Sequence, residues 1–168
     1  PAGRFLREWE SSQAAGVVGD VFGYSAVQIG LPELDLLRGN RIATHIQIIP
    51  PEARNLKNIS SQDPLNRILA DFTEIPLASE SQDLVVLPHA LDFWETDAPA
   101  QKVLREAARI LVPEGRIVLT AFNRAGLWSL RQRLSWIGLG GPFLPDAARP
   151  IALKRLQDWL SLLGFEVD

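Results

Sequence analysis

Three polar residues stand at matching places in the middle of this chain. Asp71 follows Arg67-Ile-Leu-Ala, His89 follows Asp83-Leu-Val-Val-Leu-Pro88, and Asn123 follows Gly115-Arg-Ile-Val-Leu-Thr-Ala-Phe122. Each closes a short apolar run. Such runs read as buried parallel strands, and ligands of open α/β sheets sit beyond the carboxyl ends of their strands. A carboxylate, an imidazole and an amide are therefore expected along one rim. The imidazole can take a proton from an oxygen or nitrogen nucleophile near neutral pH. The amide suits a substrate contact. Equally plain roles remain open: Asp71 as a cap after a strand, His89 as a hydrogen-bonded residue at a helix start.

The flanking sequence supplies the elements that position this rim. Arg4 to Ala15 reads as an N-terminal helix with Phe5, Leu6 and Trp9 on one face. Tyr24 to Ile29 is a first strand closed by Gly30, and Pro32 to Leu37 a short helix stopped by Gly39. Thr44 to Ile49 alternates and is β-branched, which marks a second strand, ended by Pro50-Pro51. A polar surface connection runs from Glu52 to Asn66. Arg67–Ala70, Asp83–Leu87 and Arg116–Phe122 are strands three, four and five. Between the last two lies a helix capped by Thr96 or Asp97. Val103, Leu104, Ala107, Ala108 and Leu111 form its buried stripe, with Arg105, Glu106 and Arg109 on the wet side. Pro150 to Leu163 is a final amphipathic helix stopped by Gly164, and Phe165 to Asp168 opens a sixth strand, so the C-terminal strands are incomplete in this sequence. The alternation predicts an α/β fold, a mostly parallel sheet with helices on both faces.

Composition narrows the function classes. A length of 168 residues with 46% hydrophobic and 22% charged residues suits one globular domain, residues 1–168, with a full core. A net charge of −3 gives no general attraction to nucleic acid. The chain has no cysteine, which excludes disulfides, zinc–thiolate sites and thiol nucleophiles; with two histidines, no metal centre is expected. No apolar run approaches the roughly 18 residues of a membrane span, no signal peptide is read at the start, and the cytoplasm is the expected location. Methionine is absent and the sequence starts at Pro1. Residues 124–150 change character. Trp128 and Trp136 stand among Arg124, Arg131 and Arg133, while Leu127, Leu130, Leu134 and Ile137 keep helical spacing. This segment is expected to be a cap or lid over the strand ends, with Trp128 and Arg131 able to clasp an anionic or aromatic substrate. A helix packed on the sheet, a membrane-surface element and a partner contact are the other readings.

Four stretches together carry a resemblance: Asp71-Phe-Thr-Glu-Ile-Pro-Leu, Asp83-Leu-Val-Val-Leu-Pro-His-Ala-Leu, Leu104 to Leu119, and Trp159-Leu-Ser-Leu-Leu-Gly-Phe-Glu-Val. The chain from Tyr24 to Asp168 resembles the class I S-adenosylmethionine-dependent methyltransferases, of the type 11 family, with a Rossmann-like fold. The resemblance implies S-adenosylmethionine as cofactor, S-adenosylhomocysteine as product and a small molecule as methyl acceptor. By position it makes Asp71 the acceptor for the adenine amino group, with Phe72 flanking the ring. Pro88 and His89 would line the sulfonium and substrate side, and Asn123 would face the substrate. Asp83 is read as structural.

The first motif departs from the family. An acid and a Gly-x-Gly-x-Gly turn usually follow the first strand, and here Gln28-Ile-Gly30-Leu-Pro-Glu33 occupies the place. Gly30 matches the first glycine and would admit the methionine end of the cofactor. The acid that usually holds the ribose is replaced by Pro50-Pro51, leaving Glu52 nearest. A small bacterial subgroup with the same worn motif and a Trp-Leu-Ser-Leu-Leu segment is similar. Two expectations follow: a methyltransferase working by in-line displacement, or a non-catalytic binding or scaffold protein of the same fold whose cofactor cleft has closed. The absence of Gly-x-Gly-x-x-Gly after the first strand disfavours a nucleotide-binding oxidoreductase.

Overall fold

The computed structural model of the protein describes residues 2–52, 66–94, 96–122 and 150–167, giving the backbone alone for residues 2–8. Its elements in chain order are α1 (Ala2–Val18), β1 (Ser25–Ile29), β2 (Thr44–Ile49), β3 (Asn66–Leu69), β4 (Gln82–Pro88), α2 (Asp97–Ile110), β5 (Leu111–Thr120) and α3 (Leu153–Leu162). The strands form one sheet in the order β3-β2-β1-β4-β5, and every pairing is parallel. The expected α/β class is what is found. The direction of winding reverses at β1, so its junction with β4 is the switch point where a ligand crevice opens.

Side-chain alternation sorts the strands onto two cores. Val27, Ile29, Ile48, Val85 and Leu87 face α2 and α3, where Val103, Leu104, Ala107, Leu156, Trp159 and Leu160 close the layer. Ala26, Leu84 and Val86 face the other way, against Ala14 and Val18 of α1 and against Leu34, Leu36, Leu37 and Ile42 of the β1–β2 connection. β4 is buried on both faces, as its unbroken apolar run requires. Asp83 ties the two central strands together at their start. Its Oδ2 accepts the backbone N–H groups of Tyr24 at 2.8 Å and Ser25 at 3.0 Å. A Cβ on Gly23 would stand 2.4 Å from that of Asp83, so this approach needs glycine.

Three expectations are corrected. Pro32 to Leu37 forms turns rather than a helix, because side chains claim the backbone groups a helix would use. The Asp35 carboxylate accepts the Leu37 N–H at 3.1 Å, and the Gln28 amide takes the Leu34 carbonyl and the Leu36 N–H, as set out below. Residues 165–167 form no strand. Instead the Phe165 N–H returns to the Leu160 carbonyl and closes the end of α3 around Gly164, at φ +87°. Glu106 and Arg109 are not simply solvated. The Arg109 guanidinium donates to the carbonyls of Ile75 (2.8 Å) and Leu77 (2.9 Å) and to Glu106, which accepts the Ile75 N–H at 2.9 Å. These bonds fasten the chain after β3 to α2. Asn123, Trp128, Arg131 and nearly all of the expected lid at 124–150 lie outside the described residues.

Candidate active site

The carboxyl ends of β1 and β4 meet at the switch point. Gly30, just past β1, has φ +100°, a conformation open to glycine. A Cβ there would lie 3.3 Å from the Pro88 carbonyl oxygen and 3.6 Å from the Ala90 Cβ. The bare backbone of Gly30 thus borders a narrow cradle whose other wall is Pro88–Ala90. Leu31 follows at φ +30° and His89 stands at φ +52°, so left-handed residues lie on both sides of this junction. Strained backbone of this kind gathers at binding sites. Leu31 packs its side chain on the α1-side core.

His89 is only 5% exposed. Its Nδ1 lies 2.7 Å from Asp92 Oδ2 and its Nε2 lies 2.8 Å from Glu10 Oε1. Both partners are buried carboxylates, and a carboxylate only accepts. Each ring nitrogen must then carry a proton, so the ring is an imidazolium. Burial disfavours that charge, but the hydrogen bonds and charges of Asp92 and Glu10 outweigh it and raise the His89 pKa to about 9. Asp92 Oδ2 also accepts the Phe122 N–H at 2.9 Å, and the Phe122 ring tilts over the imidazole at 4.3 Å between centroids. Four segments are joined here: α1, the β4 end, the turn after it and the chain leaving β5. In this arrangement His89 has no nitrogen with which to accept a proton, the role the sequence suggested for it.

Asp71 sits past the end of β3, exposed, while Phe72 beside it is partly buried against the α2-side core. One Asp71 oxygen, Oδ1, accepts the N–H and the hydroxyl of Thr73, both at 2.8 Å. Those two bonds hold the carboxyl below its usual range, so it is an ionised acceptor at neutral pH. The capping role and an adenine contact are compatible, since a carboxylate has room for several donors. Glu52 lies exposed in a turn just beyond β2. The rim thus brings Gly30, Pro88 and His89 together, with Asp71 two strands away, about 10 Å across the sheet at the usual strand spacing.

Sequence reasoning missed Glu10, Asp92 and the work of Gln28. Glu10 is a polar residue of a helix for which the sequence marked only Phe5, Leu6 and Trp9 as a face. The i, i+3 spacing of His89 and Asp92 was the one local signal for that pair, since residues so placed in a turn can meet.

Residues 30–119 match the family model of the methyltransferase domain. YafS of Escherichia coli (strain K12), a protein described as uncharacterized, is 36% identical over 110 residues. That alignment takes in 66% of this chain and 43% of YafS, so the chain spans less than half the length of this relative. Among solved structures, the complex of the Haloferax volcanii Trm112 methyltransferase activator with a methyltransferase aligns at a TM-score of 0.72 and 19% identity. It covers 99% of this chain and 73% of the other. A SAM-dependent methyltransferase from Archaeoglobus fulgidus aligns at a TM-score of 0.70 and 18% identity, over 95% and 69% of the two chains. At such identities these likenesses speak for the fold.

Proposed function

Because this chain belongs to the methyltransferase-domain family and has the class I fold, we propose that it binds S-adenosylmethionine across the ends of β1 and β4 and passes the methyl group to a small molecule. The observation that carries this reading is the Gly30 cradle, where a single Cβ would crowd the Pro88 carbonyl at the switch point. Bare backbone there suits the close approach of the methionine end. The ionised carboxylate of Asp71 suits the adenine amino group, Phe72 can flank the ring, and Glu52 is nearest to the ribose.

The bound cofactor would supply an electrophilic methyl on a sulfonium. The chain's part is then to orient acceptor and methyl in line and to exclude water, which asks little proton transfer of it. We assign His89 to positioning: its imidazolium fixes the turn after β4, and Asp92 draws the Phe122 backbone against it. Asn123, Trp128 and Arg131 are proposed as acceptor contacts on a segment that caps the strand ends.

Calorimetric titration tests the reading. S-adenosylmethionine and S-adenosylhomocysteine are expected to bind in the micromolar range, and Asp71→Ala to weaken both. Absence of binding at millimolar ligand would overturn it in favour of a non-catalytic scaffold. Leu31 and Pro32, standing where glycines are usual, are the observation behind that second reading.

A further inference from the structure

Gln28 is the penultimate residue of β1, 1% exposed, on the face that looks toward α1. Its carboxamide is spent on the turn that follows. Nε2 donates to the carbonyl oxygens of Leu34 and Leu31, the latter at 3.2 Å, with that of Gly30 at 3.4 Å. Oε1 accepts the Leu36 N–H at 2.9 Å. One side chain thus holds four backbone groups between residues 30 and 36. Those groups include the carbonyls on either side of Leu31, the second residue of the left-handed pair.

We propose that Gln28 is the positioning residue of the cofactor site, fixing the Gly30–Leu31 peptide in the orientation that the methionine end meets. The proposal rests on the reading of this site as a cofactor site and adds how the site is shaped. Leu31 has a Cβ and does not adopt φ +30° without support. Left alone, it would relax toward negative φ and swing the peptide that borders the cradle. Donors aimed at the carbonyls on either side prevent this. The turn is therefore held open by one buried amide, where a run of glycines would tolerate the same shape unaided. Preorganisation of this kind raises affinity by removing an ordering step from binding.

Only an amide serves here. The carbonyls of Leu34 and Leu31 take the two amide hydrogens, that of Gly30 shares one of them at 3.4 Å, and the Leu36 N–H needs an acceptor, whereas an ionised carboxylate has no hydrogen to give. Gln28→Glu keeps the shape and tests this. As a carboxylate it would face the three carbonyls. Once protonated, it regains one donor and keeps an acceptor. Burial and those carbonyls favour the neutral form, so protonation falls in an accessible range.

The experiment is calorimetric titration of S-adenosylhomocysteine into wild type and Gln28→Glu at pH 7.5 and 5.5, with circular dichroism to verify folding. The wild type serves as control for Glu33 and Asp35 on the same turn, and for the Glu10–His89–Asp92 cluster. Gln28→Glu is expected to bind at least tenfold more weakly than wild type at pH 7.5 and within about threefold of it at pH 5.5. Gln28→Leu, which titrates nothing, is expected to stay weak at both. Equal affinity of Gln28→Glu and wild type at pH 7.5 would overturn the proposal. If Gln28→Glu is unfolded at pH 7.5, a folded variant that fails to bind at pH 5.5 overturns it as well. Failure of the wild type itself to bind would overturn the cofactor reading, and this inference with it. Hydrogen exchange at the Leu36 amide, unaltered in Gln28→Leu, would separately refute the claim that Gln28 holds the turn.

Discussion

The two ends of the strand-end rim are built on opposite plans. At the β1–β4 end, Gln28, His89, Asp92 and Glu10 are all buried: His89 and Glu10 meet across 79 positions, Asp92 reaches the Phe122 N–H across 30, and Gln28 holds the turn that follows its own strand. At the β3 end, Asp71 is exposed and its recorded partner is Thr73, two residues away. The inner end is thus part of what holds the domain together, and the outer end is an appendage on it. Changes at the inner end should disturb stability and binding together. Changes at the outer end should separate them.

The sharpest way to break this contrast is His89→Ala. It leaves Glu10 and Asp92 facing each other, buried, without the cation between them, and is expected to cost about 3–5 kcal/mol in urea unfolding at neutral pH. A loss below about 1 kcal/mol would refute the idea that this cluster ties α1 to the sheet. The same cluster predicts a pH dependence. The folded His89 keeps its proton up to about pH 9, against an unperturbed value of 6.5. Between those values the folded state holds more protons than the unfolded one, so stability is full below about pH 6.5 and falls as pH rises through about 9. The loss should approach about 3 kcal/mol, and Glu10→Gln should flatten it. A stability that stays level across that window would show that the ring is neutral.

Smaller effects sharpen the comparison. Gly30→Ala places a Cβ at φ +100° and 3.3 Å from the Pro88 oxygen, and should cost about 1–3 kcal/mol together with cofactor affinity. Asp71→Ala removes a local turn and should cost about 1 kcal/mol or less, while weakening S-adenosylhomocysteine about tenfold. Equal losses of affinity and stability at Asp71 would erase the distinction between the two ends.

The sheet was legible because its strands announce themselves. Thr44–Ile49 alternates with β-branched residues, and Leu84–Leu87 is apolar without a break, so both strands are found where expected to within a residue. The stripe of α2 was readable from spacing at Val103, Leu104 and Ala107, while Ala108 is half-buried, Leu111 opens β5, and Ala100 and Ile110 complete the buried face. The Pro32–Leu37 turns were not, because what forbids the helix is Gln28, a residue on the preceding strand. Arg109 and Glu106 looked solvated for a similar reason, since the carbonyls that Arg109 serves and the N–H that Glu106 accepts belong to a loop about thirty residues earlier. At the site, Gly30 and Asp71 were visible as punctuation at strand ends. The state of His89 was not, because Glu10 lies 79 positions away and only the fold brings it within reach.

The placement of β1 at the middle of the sheet has a kinetic corollary. The bond that pins its first residue to Asp83 spans 58 positions, and every residue between must be looped out before the central pair can form. Parallel pairing over such distances is slow to nucleate, so the centre should close late and on a timescale of milliseconds or longer. A chain emerging from the ribosome has no complete centre until β4 is out, and until then β1 and β2 expose apolar faces that a chaperone would be suited to cover.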